Sequence, residues 1–112
     1  MENEENQLKD LAGDVFQLAE LLDYQEGAIV SRTLVNKESV TITVFSFDAG
    51  QALSEHTAPH NAILQVIDGN ASVTIEDETY EMTMGETIVL PADIPHAVHA
   101  PENFKMFLTM VR

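Results

Sequence analysis

The sequence predicts an all-β fold, one antiparallel sandwich or barrel entered through a short helical or irregular segment. From Ala28 onward the chain is a series of short runs rich in β-branched and aromatic residues. Between the runs stand breaks built from Gly, Pro, Asp and Asn, the residues that turns require. At 112 residues, 45% of them apolar, the chain is the size of one domain and has material for one core.

Residues 1–13 (MENEENQLKDLAG) are charge-rich and are expected to form a flexible acidic segment, which leaves 14–112 as the barrel domain. Between Asp14 and Asp23, Val15, Leu18, Ala19 and Leu22 fall at helical spacing, with Asp14 placed as the cap. That predicts a helical turn, with a short strand and a turn as the alternative. Strands are expected from Ala28 to Val35 (AIVSRTLV) and from Val40 to Phe47 (VTITVFSF), joined by a polar hairpin loop from Asn36 to Ser39. Further strands are expected from Ala62 to Ile67, Ala71 to Ile75, Thr79 to Met82, Thr87 to Leu90, His96 to Ala100 and Lys105 to Val111. The turns between them are read at Asp48-Ala49-Gly50, Asp68-Gly69-Asn70, Glu76-Asp77-Glu78, Met84-Gly85-Glu86, Pro91 to Pro95 and Pro101 to Asn103.

Two runs are apolar at neighbouring positions: Ala62-Ile63-Leu64 with Val66-Ile67, and Phe104 with Met106-Phe107-Leu108 and Met110-Val111. A small barrel fills one face of each strand, so apolar residues on the other face call for a partner. A second copy packed sheet against sheet would bury them, and a homodimer is expected.

Charge and composition remove several function classes. Nineteen acidic side chains against 5 basic ones give a net charge of −14, which repels a phosphate backbone, so no nucleic-acid partner is expected. No apolar run is long enough to span a bilayer, so no membrane partner is expected either. Met1 to Asp10 is polar and acidic, unlike a secretory leader. The absence of cysteine excludes disulfides, thiolate ligands and a Cys nucleophile, and it favours a cytoplasmic protein. No phosphate-binding Gly-rich loop and no G-x-S-x-G elbow is present.

The chemistry-bearing residues are the four histidines His56, His60, His96 and His99. On a regular strand His56, Ala58, His60 and Ala62 share a face, unless Pro59 introduces a bulge. His96 opens a strand after the Pro91-to-Pro95 turn, and His99, three residues on, is sent to the opposite face. Around these residues the chain resembles the cupin superfamily, whose motifs are G-x5-H-x-H-x3–4-E-x6-G and G-x5-P-x-G-x2-H-x3-N. The first is matched at Gly50, His56 and the closing Gly69; the second at Gly85, Pro91 and His96, with Asp93 at the family's glycine and Ala100 at its final asparagine. The resemblance implies a single-domain jelly-roll barrel (a double-stranded β-helix). It also implies a divalent metal held inside by three histidines and a glutamate.

Carried over residue by residue, the first and last histidine ligands are His56 and His96, whereas the second histidine falls on Ala58 and the glutamate on Ala62. His60 is the candidate for a rebuilt site with His56 and His96, suited to Zn, Fe, Ni, Mn or Cu. The alternative is a hydrogen-bonded His56–His96 pair in a polar pocket with His60 on the surface. Gln65, in an otherwise apolar strand, and His99 are carried as pocket-lining candidates, with solvent-facing positions as the alternative. Arg32 is expected in an ion pair or on an anionic substrate. Glu55 is expected to be solvated. No catalytic residue is identified. The functions expected are a metal-dependent barrel acting on a small polar molecule, or a metal-free module binding a small ligand.

Overall fold

Runs of β-branched residues set the framework of the computed structural model, which describes residues 7–112. Its strands are β1 (Ile29–Asn36), β2 (Val40–Phe47), β3 (Ala52–His56), β4 (Asn61–Ile75), β5 (Glu78–Thr83), β6 (Thr87–Leu90), β7 (His96–His99) and β8 (Phe104–Val111). All pairings are antiparallel, and they form one sheet in the order β1-β2-β8-β4-β6 and another in the order β3-β7-β4-β5. This is one of the antiparallel architectures that the strand spacing predicts, in the jelly-roll form that the resemblance implies. Among the described residues no helix is long and apolar enough to cross a membrane.

One strand serves both sheets. The first half of β4 pairs with β6 and β8, and its second half pairs with β5 and β7. The turn expected at Asp68-Gly69-Asn70 is therefore a bend inside a continuous strand. Register against β8 slips between Val66 and Asp68, and Gly69 takes a φ of +73°. A bulge of this kind re-aims a strand without ending it. Gly69 also lies hard against the backbone of Asn103 and Phe104, where a side chain would overlap the Asn103 carbonyl. A second departure is β3, unanticipated because Ala52, Ser54 and Glu55 have little strand preference; pairing with β7 imposes it.

Two apolar clusters follow from the strand alternation. Between the sheets lie Phe47, Leu64, Val66, Val73, Phe104 and Met106, with the Phe47 and Phe104 rings stacked at 4.5 Å. On the outer face of β1 and β2, Leu34, Val35 and Val44 are covered by Leu11, Leu18, Leu21 and Leu22 of the chain's own N-terminal segment. Part of the outward apolar surface thus finds its cover within the same chain. Ile63, Val89 and Val111 remain 41%, 54% and 50% exposed.

That covering segment holds a short helix, α1 (Leu8–Leu11), and one 3-10 turn, Leu18–Leu21. The helical turn expected from Asp14 is shorter and later than its spacing suggests. Asp14 is not its cap, since Gln17 precedes it in extended conformation, and Val15 points fully into solvent. A row of outward side chains in register across three strands clamps the segment down: Ser46, Lys105 and Asp68. Ser46 donates its hydroxyl to the Asp23 carbonyl at 2.9 Å. Lys105, only 8% exposed, donates to the carbonyls of Ala19 and Leu22, each at 2.6 Å. Asp68 accepts from the Tyr24 hydroxyl at 2.5 Å, and burial followed by that contact pushes the Tyr24 phenol well above its usual range. Further along, Gln7 donates its backbone N–H to Leu34 and accepts from Arg32 Nε at 2.7 Å. Among the described residues, Arg32 therefore meets the neutral amide of Gln7. Of the segment expected to be flexible, residues 1–6 lie outside the described residues.

Candidate functional site

His96 stands where the Pro91-to-Pro95 turn delivers the chain into β7, and His56 is its register partner on β3. A slip between Leu53 and His56 gives β3 one extra residue against β7. Without that bulge Leu53 and His56 would face opposite ways; with it, both join the inward face beside Val98 and His96. The imidazoles meet edge to face, their centroids 4.5 Å apart at an interplanar angle of 68°.

Both rings are oriented by the backbone two residues earlier. Nδ1 of His56 lies 2.7 Å from the Ser54 carbonyl, and Nδ1 of His96 lies 3.2 Å from that of Ile94. A carbonyl only accepts, so each Nδ1 carries the hydrogen, and in its neutral form each ring presents Nε2 as a bare acceptor. His96 is 7% exposed, and its pKa is lowered, chiefly by burial and further by the neighbouring His56, against the upward pull of the Ile94 carbonyl. Ile75 on β4 is the register partner of His96 on the other side.

The loops carrying the two histidines are stitched to each other. Asp93 donates its N–H to the Ala58 carbonyl at 2.7 Å, and Ala92 donates its N–H to Asn61 Oδ1 at 2.8 Å. Asp93 does so with a φ of +66°, a left-handed conformation that Asp tolerates better than most side chains. This explains how it stands where the motif carries glycine.

His60 sits in the bend before β4 and does not join the pair. Among the described residues no three His, Asp or Glu side chains converge as a metal site would require. Ala58 is half-buried and Ala62 buried at the positions the resemblance gives to a histidine and a glutamate. Two imidazoles and two methyl groups do not fit the family's four-ligand centre. Gln65 stands on the face of β4 opposite the buried Ala62, Leu64 and Val66, and His99 is exposed on the face of β7 opposite His96. Neither is brought to the pair. Glu55 is exposed within the bulged strand.

A separate groove of about 330 Å³ lies along β5 and β6, lined by Tyr80, Glu81, Met82, Glu86, Thr87 and Ile88. It sits at the sheet edge opposite β3, away from the histidines. No sequence motif announces it, because its lining comes from strands that meet only through their common partner β4.

The Cupin domain family model matches residues 43–112. The crystal structure of a conserved protein of unknown function from Streptococcus pyogenes is 41% identical, with a TM-score of 0.86 over 89% of this chain and 88% of that one. A cupin 2 conserved barrel domain protein from Leptotrichia buccalis is 45% identical with a TM-score of 0.84. That match takes in 87% of this chain and 47% of the other, so the present chain spans about half its length. An uncharacterised protein of Streptomyces coelicolor is 23% identical over 65 residues, 58% of this chain and 62% of that relative, less than two thirds of its length. A jelly roll whose β3 and β7 bring His56 and His96 together, matched from Thr43 to the last residue by the family model, identifies this chain as a member of the cupin family.

Proposed function

We propose that this barrel is a metal-free module that binds a small organic molecule at the His56–His96 pair and acts as a homodimer. The observation that carries the binding reading is the pair itself: two adjacent imidazoles, each fixed by its backbone, with no group among the described residues engaging either Nε2. Half-buried Leu53 and Ile75 border them and offer apolar contact to a ligand body. The two alanines at the family's remaining ligand positions favour an organic occupant over a metal ion. For the dimer, support comes from the outer face of β6, β4 and β8, where Thr87, Val89, Ile63, Gln65, Thr109 and Val111 carry no charge. A chain of net charge −14 repels its copy least through a neutral, partly apolar strip.

Elemental analysis of untagged protein, soaked in zinc, nickel, iron and manganese and then desalted, tests the metal-free reading. The expected result is substoichiometric metal, unchanged in a His56→Ala, His96→Ala double variant. Stoichiometric metal that the double variant loses would overturn it in favour of a metal-dependent barrel.

A further inference from the structure

Building on the pocket proposed above, we infer that its ligand is a neutral molecule presenting hydroxyl donors, a phenol or a diol, and not a carboxylate. The tautomers of the two rings decide what they can bind. With Nδ1–H of His56 committed to Ser54 and Nδ1–H of His96 to Ile94, each neutral ring has a lone pair on Nε2 and nothing to donate from it. Two acceptors cannot satisfy one another. They call for donors from outside the protein.

Accessibility points the same way. Among the described residues every buried side-chain nitrogen or oxygen has a hydrogen-bond partner. Nε2 of His96 has none among the described residues, so the small accessible part of this otherwise buried ring includes that nitrogen. His56, at the exposed end of β3, brings its ring to 4.5 Å from that of His96, centroid to centroid.

Charge then separates the donors. A carboxylate would bring further lone pairs against the two nitrogens, into a chain of net charge −14, and would gain no hydrogen bond. A hydroxyl supplies its hydrogen without adding charge. Leu53 and Ile75, half-buried on the same inward face, match a compact ring or short alkyl body, and Ala58 and Ala62 add no competing polar group.

The test uses protein labelled with 15N at histidine, held above the ordinary histidine pKa, and titrated separately with resorcinol, benzoate and benzylamine. These probes share a ring and differ in its polar groups. The expected outcome is that resorcinol alone moves both Nε2 signals saturably, leaves both Nδ1 signals in place, and binds about tenfold more weakly to His56→Ala, the cost of about one hydrogen bond. His56 is exposed, so that variant keeps the fold. Benzoate moving the Nε2 signals in place of resorcinol overturns the hydroxyl inference and leaves the pocket reading standing. Tighter binding of benzylamine overturns it in favour of an ammonium donor. Failure of every probe to move either Nε2 overturns the inference and the pocket reading together.

Discussion

Lys105 holds its ammonium 4.7 Å above the ring of Tyr24 while donating to the carbonyls of Ala19 and Leu22. A buried cation of this kind is satisfied by backbone oxygens and a π face, and its loss strands both carbonyls. Lys105→Met, which keeps the aliphatic volume, is expected to lower unfolding free energy by about 2–3 kcal/mol in a urea titration. Limited proteolysis should cut the variant first between Gly13 and Tyr24. Equal cleavage of variant and wild type in that stretch would show that the clamp is not what holds the segment.

Gly69 and Gly50 make a matched comparison. Both have positive φ, +73° and +90°, but a Cβ at Gly69 collides with Asn103 whereas one at Gly50 meets nothing within 4 Å. Gly50→Ala should cost about 1 kcal/mol, the penalty of the left-handed conformation alone. Gly69→Ala should cost about 3 kcal/mol or more, because the β4–β8 contact must also move. Equal destabilisation in thermal or urea unfolding would mean that the crowding at Gly69 relaxes freely.

The lowered pKa of His96 predicts a pH dependence of stability with a definite sign. The folded state binds the proton less well than the unfolded state does. Stability is therefore fully present above the unfolded value of 6.5 and falls as the pH drops from there towards the folded value, below which it levels off. Urea midpoints measured across this window for wild type, minus those for His96→Gln, should show that downward slope towards acid. A flat difference would mean that the folded environment does not disfavour the imidazolium.

Placing charge on the neutral strip tests the dimer. Ile63→Glu with Val89→Glu adds like charges to directly paired positions on the β4–β6 face. Light scattering should give a homodimer for wild type and a monomer for the double variant, with a circular dichroism spectrum unchanged. A wild-type monomer, or a variant that still dimerises, would remove this face as the contact.

The sequence revealed strands best where the residues prefer strand by themselves. Val40–Phe47 and Thr87–Leu90 match the expected bounds. It concealed what depends on partners. Ala52–His56 becomes a strand through β7, and the inward aim of His56 depends on a bulge that no residue preference marks. Asp68-Gly69-Asn70 suits a tight turn and a bulged bend equally, since both need a residue with positive φ. The pairing of His56 with His96 was legible because motif spacing records which strands meet. Recruitment of His60 was suggested by its spacing from His56, but the bend ahead of Asn61 leaves it outside the pair.

Asn61–Ile75 runs as a shared rail through both sheets, and this constrains how the molecule can come apart. Peeling off either half strips the neighbours from part of the one continuous strand on which the other half is built. Melting is thereby expected to be all-or-none, and hydrogen exchange should show amides on both sides opening together, with no half-barrel accumulating on the way.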